Sequence, residues 1–191
     1  MEFIFRINNE VTFKSKVHSF RCSDNTKKGS QCKRHTVIGS PFCATHLLYN
    51  HNLKVKKSLI PNSGLGLFAV DPFDSTHKHV LFKKGEKIAK YYGEIIDKDE
   101  LINRYEDKTP PYVIGISNNR YEDGAVKRGI GSLANTLPNH NNATISIHNG
   151  YASLKCSKNI KNGDEIYLSY GKSYKLNQPN VNYETKKIKN K

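Results

Sequence analysis

The chain has 191 residues, 36% of them hydrophobic, and a formal net charge of +14. That length holds one domain of ordinary size plus a small module, and the aromatic residues spread along it argue against wholesale disorder. No run approaches the roughly 18 apolar residues of a membrane span, and the start, Met1 to Arg6, lacks the layout of a secretory signal; a soluble protein of a reducing compartment, with no membrane partner, is expected.

Residues 1–20 alternate weakly, Phe3, Phe5 and Ile7 and then Val11 and Phe13, as one or two strands would. Cys22, Cys32, Cys43 and His46 follow, three of the four cysteines of the chain within 22 residues and the histidine separated from the third by two residues. In a reducing compartment such clustering reads as a structural Zn2+ site, because thiolate and imidazole suit the tetrahedral preference of that ion. Gly29 and Gly39 let the backbone turn towards the metal, and His35 competes with His46 for the fourth position, the two-residue interval favouring His46. Lys27, Lys28, Lys33 and Arg34 lie between the ligands and are compatible with nucleic acid.

Residues 47–57 read as a polar connector, and Leu53 to Val55 as a strand entering the turn Pro61 to Ala69. Gly64, Leu65 and Gly66 lack the rest of a dinucleotide fingerprint, but their backbone can approach a ligand closely. Residues 71–82 read as a loop, its His77 and His79 solvated rather than ligating. Ile88 to Ile96 is a strand broken at Gly93, and Asp97 to Tyr105 a short helix with Asp97 as cap and Glu100 three residues on. Tyr112 to Ile116, Arg120 to Val126 and Ala152 to Cys156 are further strands, the last holding Cys156 as a small buried hydrophobe. Gly163 to Gly171 then alternates Ile166 and Leu168 against Tyr167 and Ser169, placing Tyr170 at a strand end.

Charge divides the chain unevenly. Residues 1–60 carry 11 Lys/Arg against 3 Asp/Glu, residues 61–171 carry 14 against 13, and residues 172–191 carry 6 against 1. Basic ends on a balanced middle suit either a nearby polyanion, DNA or the nucleosome among them, or a solvated lysine-rich surface.

Gly64-Leu-Gly66, Tyr91-Tyr-Gly-Glu94, the segment Gly129 to Ala143 with Asn135, and Gly163 to Tyr170 occur in the order and spacing of the SET-domain protein lysine methyltransferases. The resemblance covers residues 53–175 and is greatest to the short viral-like form, without a cysteine-rich post-SET segment. The cysteine cluster resembles the Cys3His WRC type, without its tryptophan. These resemblances imply a mainly β fold with short helices, an α+β assembly of small sheets with a threaded C-terminal segment. Residues 1–52 would carry the zinc-stapled module at 22–46, and residues 176–191 would be a loose basic tail.

The same resemblance implies that S-adenosyl-L-methionine sits against Gly64, Leu65, Gly66, Asn135 and Tyr170, while a substrate lysine enters from the opposite face. Tyr91, Tyr112, Leu168, Tyr170 and Tyr174, with Leu176 beside the last, would line its channel. Tyr170 matches the catalytic tyrosine; Tyr91 is either its companion or a core residue. In-line methyl transfer to an amine needs positioning above all, and an apolar aromatic channel keeps the amine neutral while its π faces hold the methylated product. The familiar Asn-His-Ser stands here as Asn135-Thr136-Leu137, and Asn139, Asn141 and Asn142 are all open for the asparagine that follows. Leu168 stands where the family places a bulkier residue, which implies di- or trimethylation. The acidic residues Glu94, Asp97, Asp99, Glu100, Glu106, Asp107, Glu122 and Asp123 suggest a groove for a basic peptide such as a histone tail, in a nuclear or chromatin-associated protein. The competing expectation is a catalytically weak or inactive SET-fold, zinc-containing chromatin or nucleic-acid-binding adaptor, which the lost histidine favours.

Overall fold

The computed structural model describes residues 1–17, 19–36, 40–76, 79–172, 174–175 and 178–186; Gly39, His77 and Leu176 fall outside them. Two strands start the chain, β1 (Glu2–Ile7) and β2 (Glu10–Lys16), joined through Asn8 and Asn9, which both take the left-handed backbone conformation. Phe3 and Phe5 are fully buried, each burial contributing about 1.5–3 kcal/mol. After the cysteine cluster comes α1 (Ala44–His51), capped by Cys43 and closed by Asn52 at φ 53°. A polar connector was expected there; an eight-residue helix with one fully buried side chain, Leu47, leaves too short an apolar stripe to announce itself.

The remaining elements are short. They are β3 (Leu53–Lys57), β4 (Leu65–Ala69), β5 (Val80–Phe82), β6 (Lys87–Lys90), β7 (Glu94–Ile96), α2 (Lys98–Tyr105), β8 (Val113–Ser117), β9 (Arg120–Asp123), a 3-10 turn at Ile130–Leu133, β10 (Ala143–His148), β11 (Tyr151–Cys156), β12 (Ile160–Lys161) and β13 (Val181–Lys186). They form five small sheets, ordered β13-β1-β2, β10-β11-β6, β12-β5, β3-β4 and β7-β9-β8. The break at Gly93 separates β6 from β7, and α2 starts as its sequence demands, the Asp97 carboxylate accepting from the Glu100 amide at 2.9 Å. In the loop before β5, His79 lies between Asp71 and Asp74, at 3.2 and 2.7 Å.

The fold corrects one expectation about the ends of the chain. Residues 181–186 are not a loose tail: they form β13, antiparallel to β1 from Glu2 opposite Lys186 to Ile7 opposite Val181. This three-stranded sheet packs Phe3, Phe5 and Ile7 on Tyr105 and Ala125, so residues 1–17 belong to the central domain's core rather than to the cysteine module. A second, larger core gathers Leu53, Leu67, Leu154, Ile160 and Ile166 from the central sheets, and Cys156 is buried in it as expected. No helix among the described residues is long and apolar enough to cross a membrane.

Candidate active site and candidate metal centre

The segment from Glu165 to Ser169 passes between two stretches of chain without forming a regular strand. Ile166 donates to the Leu67 carbonyl at 2.7 Å, Leu168 to the Asn135 carbonyl at 2.7 Å, and Ser169 to the Ala143 carbonyl at 3.1 Å. Parallel bridges join Asn135 to Tyr167 and Ala143 to Leu168. The Asn135 loop and the Tyr170 segment therefore meet, and the Tyr170 hydroxyl donates to the Ala134 carbonyl at 3.0 Å. Gly129 is required below this junction: a β-carbon there would collide with the Tyr91 carbonyl.

Beside the junction opens a cavity of about 410 Å³. All five residues read as channel walls line it: Tyr91, Tyr112, Leu168, Tyr170 and Tyr174. Tyr170 and Tyr174 meet edge to face at 4.8 Å, and the Tyr174 hydroxyl reaches the Pro111 carbonyl at 3.4 Å. Burial, followed by the neighbouring Tyr170, pushes the Tyr91 phenol well above its ordinary pKa; burial, then Tyr174, does the same for Tyr170. Both hydroxyls are neutral at physiological pH. Behind the wall, the Arg128 guanidinium lies 4.0 Å from the Tyr112 ring centroid.

On the other side of Asn135 lies the glycine turn. The Asn135 side-chain amide donates to the Leu65 carbonyl at 3.0 Å and to Glu165 at 3.3 Å. Glu165, 2% exposed, also accepts from the Ser58 hydroxyl and the Leu59 amide, both at 2.7 Å, and from Tyr167 at 3.1 Å. Gly66 has no room for a β-carbon against that carboxylate, whereas Gly64, at φ +70°, faces open space. Glu165 is the residue the sequence reading passed over. The alternation hid it, since Glu165 falls with Tyr167 and Ser169 on the side where an exposed polar residue is expected.

The three asparagines left open resolve into different tasks. Asn142 clasps the crossing segment, donating to the Glu165 carbonyl and accepting from the Tyr167 amide, each at 2.9 Å. Asn141 accepts from the Leu137 amide and the Thr136 hydroxyl, closing that turn, and Asn139 is an exposed turn residue at φ 68°.

The acidic groove does not form as expected. Asp123 is fully buried and accepts from Arg104, Tyr105 and the Ala125 amide; Glu122, 1% exposed, accepts from the Gly93 and Ala152 amides at 2.8 and 2.7 Å. Arg104 also meets Glu94 and Glu100. Four of the eight acids are thus engaged in holding β7, β9 and α2 together.

In the N-terminal module the ligand atoms of Cys22, Cys32, Cys43 and His46 lie within 4.8 Å of one another. The Cys22 sulfur is 3.3 Å from His46 Nδ1, and the amides of Cys43 and Arg34 donate to the sulfurs of Cys22 and Cys32 at 3.2 and 3.4 Å. Three sulfurs and one imidazole nitrogen make a donor set that suits a soft divalent ion. His35 is not among the converging ligands; it pairs with Arg21 through backbone.

Small sheets around a threaded segment, with a tyrosine cavity on one side of the crossing, define a known class. The SET domain family model matches residues 64–171, more than half of the chain, and the chain belongs to that family. No curated protein matches it by sequence. Among solved structures it is similar to the polycomb repressive complex 2 of Chaetomium thermophilum, at TM-score 0.52 and 22% identity over 70% of this chain and 16% of that one. It is also similar to that complex with H3K27me3 and H3K27M (TM-score 0.55, 20% identity, 80% of this chain and 17% of that one) and to its autoinhibited form bound to S-adenosylmethionine (TM-score 0.52, 22% identity, 65% and 16%). The chain spans about one sixth of the length of these matched chains. At these identities the likeness is one of fold.

Proposed function

We propose that the protein is an S-adenosylmethionine-dependent protein lysine N-methyltransferase. The observation that carries this reading is the junction itself: the Tyr170 hydroxyl bonded to the Ala134 carbonyl, at a tyrosine-lined cavity, one residue from the Asn135 side chain that holds the glycine turn. When bound, S-adenosylmethionine supplies an electrophilic methyl group on a sulfonium. Gly64, Leu65, Gly66, Asn135 and Tyr170 are the residues that would hold it. Gly64 leaves its face of the turn open, and Asn135 fixes that turn against the crossing segment.

The tyrosine cavity takes the lysine. Desolvation by Tyr91, Tyr112, Tyr170 and Tyr174 disfavours the ammonium form, and the guanidinium of Arg128 behind Tyr112 disfavours it further. Since both Tyr91 and Tyr170 stay protonated, neither is the base; the amine loses its proton to solvent at the cavity mouth. Oxygen atoms at the crossing, the Ala134 carbonyl and the Tyr170 hydroxyl, can orient the transferring methyl through weak C-H...O contacts. Leu168 leaves room for a second and third methyl group, and Leu168→Phe should restrict the product to monomethyl-lysine by mass spectrometry.

Histone tails are the proposed substrate, the basic ends of the chain contacting the accompanying DNA in a nuclear or chromatin-associated setting. The Cys3His cluster is proposed to hold one structural Zn2+, measurable as one equivalent of metal lost in Cys32→Ser. The competing adaptor reading has one observation on its side, Thr136 in place of the histidine, its hydroxyl turned to Asn141. Calorimetry with S-adenosylmethionine, together with labelled methyl transfer to free and nucleosomal core histones, separates the two. The enzyme binds and transfers, and loses transfer in Tyr170→Phe; an adaptor transfers to none of them.

A further inference from the structure

Three surface depressions, of about 710, 300 and 560 Å³, run into one another away from the tyrosine cavity. The first lies along β2, the second against the cysteine module, and the third along β6 and β11. Lys127 lines all three, and Tyr92 lines the second and third. Together they make one trench, bordered by the N-terminal sheet, the module and the central domain.

Its lining is basic beyond what the composition of the domain explains. Eight Lys and Arg residues border it against two carboxylates, Glu94 and Glu122. Both carboxylates are occupied, Glu94 with Arg104 at 2.9 Å and Glu122 with two backbone amides. Lys16, Lys87, Lys90 and Lys127 are exposed and meet no carboxylate among the described residues. Uncompensated cations along a concave strip attract a chain of regularly spaced anions.

The aromatic residues narrow the class of anion. Phe20, Tyr92 and Tyr151 border the trench at 61%, 42% and 53% exposure. The Lys127 ammonium lies 4.7 Å from the Tyr92 ring centroid, so cation and ring share the point where the depressions join. Tyr92 has φ 66°, a conformation that disfavours a bulky side chain, yet its ring is presented outward. Rings interleaved with lysines offer stacking faces that only unpaired bases can use, since a duplex hides its base faces. We propose that this trench binds single-stranded nucleic acid, with phosphates on Lys16, Lys87, Lys90 and Lys127 and bases against Tyr92 and Tyr151. The proposal is independent of methyl transfer.

The test is fluorescence anisotropy of the full chain with a labelled single-stranded oligonucleotide, a duplex of the same length and poly-glutamate, each across a salt series. The single strand should bind tightest, and Lys127→Glu should weaken it about tenfold and lower the salt slope by about 0.7. Tyr92→Asn, which tolerates the same backbone conformation, should weaken the single strand about fivefold or more and leave the duplex unchanged. Lys127→Arg and Tyr92→Phe should retain binding, which separates loss of contact from loss of fold. Equal or tighter binding of the duplex, equal binding of poly-glutamate, or loss of binding on deleting residues 187–191 but not in Lys127→Glu would each overturn the proposal.

Discussion

A single carboxylate decides much of the geometry of the crossing. Glu165 accepts from four donors, on Ser58, Leu59, Asn135 and Tyr167, and each of its two oxygens meets an N–H group, of Asn135 or of Leu59, that can only donate. Glu165→Gln turns one oxygen into a donor facing donors, at a cost of about 1–3 kcal/mol. We expect a fall in Tm of roughly 5 °C and weakened cofactor binding by calorimetry; an unchanged melting curve would show that Glu165 is replaceable. Acidity at this scale also has a sign. The phenols of Tyr91 and Tyr170 are held above their ordinary range of about 10, chiefly by burial, so they neither ionise nor switch role as pH rises. An unperturbed lysine, by contrast, is half neutral at about pH 10.4, and well below that pH its neutral fraction grows about tenfold per pH unit. The rate should therefore climb with pH from 7 to about 9.5, without a descending limb, in buffers where the fold is intact by circular dichroism. An alkaline fall below that pH would put an ionising group of the enzyme into the reaction.

At the scale of elements, the two ends of the chain close one sheet. Pairing of β13 with β1 brings Tyr183 to 6.1 Å from Tyr112 and joins Glu184 to Arg6 at 2.7 Å. Deleting residues 181–191 exposes the edge of β1 and removes the ring behind a cavity wall. It should lower Tm by roughly 5 °C or more and reduce lysine methylation, whereas deleting residues 187–191 alone should do neither. This pairing was not legible in the sequence. Val181 to Lys186 is polar and lysine-bearing, and its partner lies at the far end of the chain, so no local pattern declares it. The helix α1 was hidden for a related reason, its single buried leucine being set by contact with the domain rather than by a stripe of its own. By contrast α2 was readable because Asp97 and Glu100 are local signals that the structure uses directly. The four metal-ligating candidates were readable too, since their chemistry is carried by residue type and spacing.

For the molecule as a whole, the arrangement that could be read in advance is the crossing of Asn135 and Tyr170. Its motifs lie in order along the chain, and five expected walls line one cavity. What could not be read is where the charges go. Of the acids expected to form a substrate groove, Asp123 and Glu122 are buried as structural acceptors, and the cations of the first sheet, of β6 and of the loop after β9 gather instead in a separate trench. Burial depends on strand pairing that charge counts do not contain. The proposed methyl-transfer cavity and the proposed polyanion-binding trench share no lining residue.

The proposed chemistry is the passage of a methyl group to a lysine across the Asn135–Tyr170 crossing. The measurement closest to it is the intact mass of core histones after incubation with S-adenosylmethionine and either the wild-type protein or Tyr170→Phe. Wild type should add one to three methyl groups to a lysine, while Tyr170→Phe, still binding the cofactor, should lose about 99% of that activity. Methyl-lysine formed equally well by Tyr170→Phe, or a wild-type protein that binds the cofactor and leaves every core histone unmodified, would contradict the account.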